Sequence, residues 1–226
     1  MGRAATGGEL RYRGVIFDLW QTLVPFPVES AQRMYRELAT TWGADHEAFD
    51  EVWNRRRLER ETGPIEPHLR LVAGELGLSG DLGPVLTLRR TWTSESMVPR
   101  PDAVPTLEEL RRRGHRLGMI SACSQDVPDI WDSTPFEGLF DSTVFSCSVG
   151  FSKPDPRIYE LCADELGVEV GDCLFVGDGA NDELPGAERA GMAVLQLRAP
   201  GERLTSEGER WTGEHVERLS DVLDRA

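Results

Sequence analysis

Short apolar runs alternate with helical segments along most of this chain, and this alternation restricts its possible folds more than any other feature. Runs rich in β-branched and aromatic residues lie at 14–18, 116–121, 143–146, 173–177 and 193–197. Segments with helical spacing lie at 106–113, 155–166 and 183–190, and a glycine follows each of them. Parallel strands require helical crossovers, so the pattern predicts an α/β protein whose parallel sheet carries helices on both faces.

The segment between the first and second predicted strands has a different sequence pattern from the rest of the chain. Residues 28–98 show helical spacing and no convincing strand, and prolines follow at 99, 101 and 105. We therefore predict a core domain formed by 1–26 and 99–226, with a helical domain at 27–98. We expect residues 1–12 to form a loose segment before the first strand. The last segment, 213–225, is amphipathic.

Charge and composition argue against several classes of partner. The chain has 25 Lys and Arg against 39 Asp and Glu, a net charge of −14, which disfavours nucleic acids and anionic membranes. It has no apolar run near the roughly 20 residues that span a bilayer. The N-terminus lacks the apolar stretch of a signal peptide, and the four cysteines show no C-x-x-C spacing. We expect a cytoplasmic protein with reduced thiols that is a monomer or a homodimer.

Functional side chains follow the predicted strands. Asp18, Ser121 and Asp178 end three of them, Lys153 lies in a loop after a fourth, and Asp182 comes four residues after Asp178. Each residue alone is also typical of a helix cap or a turn. The carboxyl ends of parallel strands meet at one edge of a sheet, so their joint occurrence predicts a single site there.

The chemistry of these residues suits transfer of an anionic group. Lys153 is the one lysine among 25 basic residues, and its compact charge suits a phosphoryl or carboxylate group at close range. Asp18 and Asp178 offer the oxygen ligands that Mg²⁺ prefers. An Asp18 carboxylate can attack phosphorus, with Mg²⁺, Lys153 and Ser121 stabilising the charge on the transferring group.

Four segments resemble, in order, the motifs of the haloacid dehalogenase-like hydrolase superfamily. The segment Asp18-Leu-Trp-Gln-Thr-Leu23 is similar to the first motif, D-x-D-G-T-L, and Ser121 fits the second. Lys153-Pro-Asp-Pro156 fits the third motif, and Gly177-Asp-Gly-Ala-Asn-Asp182 fits the fourth, G-D-x-x-x-D. The resemblance covers about 13–26 and 100–200, and the helical segment between them lies where this superfamily carries a cap.

The resemblance implies a Rossmann-like core, a mobile helical cap, Mg²⁺ and Asp18 as nucleophile. It implies that the metal is held by the Asp18 carboxylate, the main-chain carbonyl of Trp20 and Asp178. Asp182 would act through a bound water or by orienting Lys153. The implied substrate is a small anion, a phosphorylated metabolite or a haloacid, in contact with four positions: Trp20, Thr22, Ser121 and Lys153.

The first motif departs from the pattern of the family's phosphatases at Trp20, where they carry a second Asp. An indole cannot transfer a proton, and general acid–base catalysis typically raises the reaction rate by about 10²–10⁴-fold. Gln21 and Ala122 also replace the usual Gly and Asn. A branch that cleaves carbon–phosphorus bonds through a cap lysine is disfavoured, because residues 28–98 contain no Lys.

Three functions remain open. The first is a Mg²⁺-dependent phosphatase that takes its acid from elsewhere or acts on a leaving group such as that of an acyl phosphate. The second is a 2-haloacid dehalogenase using Asp18 without metal, since that branch carries an aromatic residue at the position of Trp20 and halide leaves without a proton. The third is a non-catalytic binding module. Asp178 and Asp182 favour the phosphatase, and we expect the Trp20 indole to face the cap and narrow the substrate space.

Overall fold

The computed structural model describes residues 10–226, which contain one six-stranded parallel sheet. Its order is β3-β2-β1-β4-β5-β6, and all neighbouring strands are parallel. The strands are β1 Gly14–Asp18, β2 Arg116–Ser121, β3 Ser142–Phe145, β4 Cys173–Gly177, β5 Ala193–Leu197 and β6 His215–Val216. Because β1 lies between β2 and β4, the carboxyl ends of these three strands lie side by side.

Ten helices accompany the sheet in the described residues. Five of them lie between β1 and β2: α1 Val28–Trp42, α2 His46–Arg55, α3 Arg57–Glu61, α4 Ile65–Glu75 and α5 Gly83–Ser96. The others are α6 Ala103–Arg113, α7 Ser146–Val149, α8 Pro156–Leu166, α9 Glu183–Ala190 and α10 Ser206–Arg210. Short 3-10 helices lie at Pro128–Ser133, Val170–Asp172, Ala180–Asp182 and Leu219–Asp224. No helix within residues 10–226 combines the length and the apolar character needed to cross a membrane.

The sheet separates two hydrophobic cores. Val15 and Phe17 of β1 pack into one core with α6, whereas Ile16 packs into the other with α8 and α9. Successive side chains of a strand point to opposite faces, so an uninterrupted apolar strand such as β1 serves both cores. The predicted α/β fold with a parallel, Rossmann-like sheet is confirmed.

Residues 27–98, hereafter the helical insert, have a third core of their own. Phe49 and Trp53 of α2 stack with ring centroids 5.3 Å apart, and Leu38, Leu69 and Val85 are fully buried around them. The apolar spacing of each helix thus buries one face against its neighbours in the insert.

A buried ion pair joins the insert to the sheet domain. Arg89 of α5 donates to both carboxylate oxygens of Asp126, at 2.8 and 3.0 Å, and to the Ser124 hydroxyl at 2.7 Å. Thr93 donates to the same carboxylate at 2.5 Å. Burial opposes ionisation of Asp126, but Arg89 and these hydroxyls outweigh it and lower its pKa to about 2. The carboxylate is therefore charged and fully engaged.

Several predicted elements differ from the structure at their ends. The strand predicted at 143–146 is β3, Ser142–Phe145, and α6 begins at Ala103 rather than 106. The helix predicted from 155 begins at Pro156, because Asp155 is its N-cap and accepts a bond from the Arg157 amide. The last segment contains β6, which pairs with β5, and then a 3-10 helix. Residues 1–9 of the loose segment predicted before the first strand lie outside the described residues.

Candidate active site

A buried ammonium group bridges two carboxylates at the carboxyl edge of the sheet. Lys153, in the loop before α8, donates to Asp18 Oδ1 at the end of β1 and to Glu183 Oε2 at 2.5 Å. All three side chains are less than a tenth exposed. Burial opposes the charge on Lys153, but Asp18 and Glu183 outweigh it and raise its pKa, so the ammonium stays protonated.

A third carboxylate, Asp178, completes this cluster. Carboxylate oxygens of Asp18, Asp178 and Glu183 lie within 4.8 Å of one another. Burial and the neighbouring Asp18 charge raise the pKa of Asp178 to about 6, and the same causes raise the pKa of Glu183. Three carboxylates thus lie around one ammonium, and burial, followed by the repulsion between the carboxylates, is the cause of the raised pKa values.

Glu183 takes the place that the sequence motif suggested for Asp182. The Asp182 side chain is 55% exposed and pairs with Arg210 at 3.3 Å, so it does not contact Lys153. Asn181 and Asp182 both have left-handed backbone conformations, with φ of 57° and 54°. This turn directs Asp182 outward and lets Glu183, the first residue of α9, face the cluster.

The backbone of β4 makes room for Glu183. The Gly179 amide donates to Glu183 Oε1 at 3.0 Å, and a Cβ on Gly177 would collide with the same carboxylate. The sequence analysis missed Glu183, although one signal marked it. Glu183 shares a helical face with the buried Ala187, four residues on, whereas Asp182 precedes the helix.

We predict that replacing Glu183 and replacing its neighbour Asp182 have very different effects on kcat. Glu183→Gln removes the charge that pairs with Lys153 and sets an amide NH₂ against one of the two donors, so it should lower kcat by about 10²-fold, the usual cost of misplacing a reacting group. Asp182→Asn removes an exposed ion pair and should change kcat by less than about threefold. Steady-state assays of both variants test this, and a larger loss for Asp182→Asn would assign the orienting role to Asp182.

Two buried hydroxyls lie on the loops beside the cluster. Ser121 ends β2 and Thr22 follows β1, and both are fully buried, with no hydrogen-bond partner for their hydroxyl oxygens among the described residues. Asp18 Oδ2 and Asp178 Oδ2 are likewise buried and unpartnered. Since buried polar groups are normally hydrogen-bonded, four unpartnered oxygens at one edge of the sheet are what a binding site for a charged ligand provides.

Arg100 holds the loop that carries Trp20 and Thr22. Its guanidinium donates to the carbonyl oxygens of Gln21 at 2.8 Å and Thr22 at 2.7 Å. Glu202 pairs with the same guanidinium at 2.6 Å. The loop after β1 is therefore fixed by a residue just beyond the insert.

Trp20 lies where the sheet domain meets the insert. Its indole stacks on Trp92 of α5, with ring centroids 6.2 Å apart, and meets the edge of Phe26 at 5.7 Å. These aromatic rings line one side of a cavity of about 470 Å³. Ala122 and Asn181, from the loops after β2 and β4, line the same cavity. The cavity thus connects the charged edge of the sheet with the insert.

The fold is α/β, and its buried charged cluster lies at the carboxyl edge of the sheet, where parallel-sheet proteins commonly bind ligands. The chain belongs to the haloacid dehalogenase-like hydrolases, because the model of that family matches residues 12–191. The resemblance seen in the sequence is confirmed, and the protein is a hydrolase of this family.

Relatives of the chain carry both phosphatase and dehalogenase names. It is 28% identical over 197 residues to a glyceraldehyde 3-phosphate phosphatase of Methanopyrus kandleri, which covers 82% of this chain and 84% of the relative. It is 27% identical to (S)-2-haloacid dehalogenase 4A of Burkholderia cepacia, with 84% of each chain covered. A HAD phosphatase from Thermococcus onnurineus has a similar fold, with a TM-score of 0.68 and 21% identity over 94% of this chain and 97% of that one.

Proposed function

We propose that this protein is a metal-dependent phosphatase for a small phosphorylated metabolite, with Asp18 as nucleophile and the helical insert as a cap over the site. The observation that carries the proposal is the excess of carboxylates at the edge of the sheet. Asp18, Asp178 and Glu183 bring three negative charges, and Lys153 brings one positive charge. A cluster of this charge, buried from water, favours a divalent cation.

The hydrogen bonds separate the carboxylates by role. Both Glu183 oxygens are engaged, by Lys153 and by the Gly179 amide. Asp18 Oδ2 and Asp178 Oδ2 have no partner, so these two residues would hold Mg²⁺, together with the Trp20 carbonyl that the family pattern implies. When bound, Mg²⁺ would neutralise charge on the phosphoryl oxygens. Glu183 then acts as a positioning residue for Lys153.

The reaction follows from the position of Asp18. Its carboxylate attacks phosphorus, an Asp18–phosphorus bond forms, and the bond from phosphorus to the leaving oxygen breaks. Lys153, Ser121 and Thr22 supply the charge and the hydroxyl groups that bind the phosphoryl oxygens. Water then hydrolyses the aspartyl phosphate, which returns Asp18 and releases inorganic phosphate.

The leaving oxygen requires a proton that Trp20 cannot supply. Glu61 of α3 lines the cavity, and burial raises its pKa although Arg57, Arg60 and Lys153 oppose the shift. A carboxyl group with a raised pKa beside the leaving group suits proton donation. Glu61 is therefore the proton donor for alkyl esters, while acyl phosphates need little protonation.

We predict that hydrolysis of phosphate esters or acyl phosphates requires Mg²⁺. Removal of the metal with EDTA should lower turnover by at least about 10²-fold, because the transferring group then loses charge stabilisation worth several kcal/mol. A panel of phosphate esters, acyl phosphates and 2-haloacids, assayed with and without Mg²⁺, makes the measurement. Adding Mg²⁺ back to the EDTA-treated protein is the control and should restore the rate.

The same panel separates the alternative functions. Halide release in EDTA, with no phosphate release in Mg²⁺, would identify a dehalogenase. The aromatic side chain of Trp20 at the cavity is the observation that favours this alternative. A silent panel, with a melting temperature that still rises on addition of BeF₃⁻ and Mg²⁺, would identify a binding module. Either result would contradict the proposed phosphatase.

A further inference from the structure

The insert carries a buried guanidinium whose charge has no carboxylate partner among the described residues. Arg60 of α3 is only 7% exposed and lines the cavity. It donates one hydrogen bond, to the Trp53 carbonyl at 3.0 Å, and lies over the Trp53 ring at 4.3 Å from the centroid. Burial and the neighbouring Arg89 charge lower its pKa to about 10, so it remains charged at neutral pH.

Neither nearby carboxylate forms an ion pair with Arg60, although both act on its charge from a distance. Asp126 is engaged by Arg89, Thr93 and Ser124. The next residue, Glu61, lies nearest to Arg57, at 3.8 Å. Arg60, Arg89 and Asp126 together therefore carry a net positive charge beside the cavity.

The polar atoms without partners in this region offer hydrogen-bond donors. Trp53 Nε1, Arg89 Nε and both ring nitrogens of His68 are buried and have no partner. An indole and a guanidinium can only donate, and a neutral imidazole donates from one nitrogen. Burial lowers the pKa of His68 to about 4, with Arg60 adding to the effect, so the ring is neutral. Of these residues Arg89 lines the cavity beside Arg60, and a cavity wall that carries an unpaired guanidinium favours an anion.

We propose that Arg60 recognises a second anionic group of the substrate, so that this hydrolase selects phosphate esters that carry a carboxylate or another phosphoryl group. The cavity that Arg60 lines is shared with Trp20 and with the loops after β2 and β4. Trp20 lies two residues after Asp18, and Ala122 directly follows Ser121, so the cavity borders the carboxylate cluster. A substrate whose phosphoryl group reaches Asp18 would then place its second anion at Arg60. The inference rests on the proposed phosphatase activity and adds its substrate class.

The test compares matched substrates that differ in the second anion. 3-Phosphoglycerate and glycerol 3-phosphate differ by a carboxylate, and fructose 1,6-bisphosphate and fructose 6-phosphate differ by a phosphoryl group. We expect kcat/KM to favour the doubly anionic member of at least one pair by about 10- to 100-fold, the usual effect of a charge-assisted hydrogen bond. The pair that shows the preference identifies the second anion. Equal kcat/KM values within both pairs would overturn the proposal.

Variants assign the preference to Arg60. Arg60→Gln should abolish it, with kcat/KM for the doubly anionic ester falling at least about tenfold more than kcat/KM for p-nitrophenyl phosphate, which has no second anion. Arg60→Lys keeps a charge and should retain part of the preference. Arg55→Gln is the matched control, since Arg55 lies outside the cavity and pairs with Glu51 and Glu75. An equal loss on all substrates in Arg60→Gln would assign Arg60 to the fold of the insert and contradict the proposal.

Binding separates this inference from the proposed function. In Asp18→Asn, 3-phosphoglycerate should raise the melting temperature more than glycerol 3-phosphate does, or fructose 1,6-bisphosphate more than fructose 6-phosphate. Adding Arg60→Gln to this variant should remove the difference. If no ester is hydrolysed but this difference persists, the phosphatase proposal fails and the second anion site stands. If esters are hydrolysed without any preference, the phosphatase stands and the second anion site fails.

Discussion

Asp18→Asn should abolish hydrolysis while the protein stays folded. Loss of a covalent nucleophile lowers kcat by at least about 10⁴-fold, because the remaining groups have no attacking atom to assist. The amide matches the carboxylate in size and removes one of three crowded negative charges, so repulsion with Asp178 decreases. Steady-state kinetics with far-UV circular dichroism makes the measurement.

An exposed carboxylate provides the control for this variant. Asp164→Asn, on the outer side of α8, should leave kcat unchanged. Residual turnover in Asp18→Asn above about one per cent of the original rate, with the native fold, would show that Asp18 is not the nucleophile.

Arg89→Met should produce the largest loss of stability among single substitutions at the junction between the insert and the sheet domain. It leaves the Asp126 carboxylate buried without its cation, at a cost of about 3–5 kcal/mol in the free energy of unfolding. That is a large part of the roughly 5–15 kcal/mol that stabilises a typical domain. Urea unfolding, followed by circular dichroism, measures the change.

The neighbouring arginine is the matched control. Arg90→Met changes an exposed side chain on the same helix and should alter the free energy of unfolding by less than about 0.5 kcal/mol. Adding Asp126→Asn to Arg89→Met should recover part of the loss, because the buried group is then neutral. A loss below about 1 kcal/mol in Arg89→Met would mean that the Arg89–Asp126 pair is solvated in solution.

Local patterns in the sequence predicted most of the sheet. The four strands β1, β2, β4 and β5 have the predicted bounds, because each is a short and mostly apolar run. The two-residue strand β6 was not predicted, since it is defined by pairing with the open edge of β5 rather than by its own composition. The start of α6 differs for a similar reason, because Ala103 is buried by packing against the sheet.

The site was predicted in part. Asp18, Lys153 and Asp178 were expected to meet because parallel strands end at one edge, and they do meet there. The choice between Asp182 and Glu183 depended on a turn of two left-handed residues, which the motif spacing does not encode.

The sequence by itself predicted strands β1, β2, β4 and β5, the helical character of the residues between β1 and β2, and the edge at which the charged groups collect. These features follow from local periodicity and from the geometry that all parallel sheets share. The tertiary structure alone decided that Glu183 engages Lys153, that Arg89 engages Asp126 and that Arg60 is buried without a carboxylate partner within residues 10–226. Such pairings join residues far apart in the chain, and their energies depend on burial and distance, which exist only once the chain has folded.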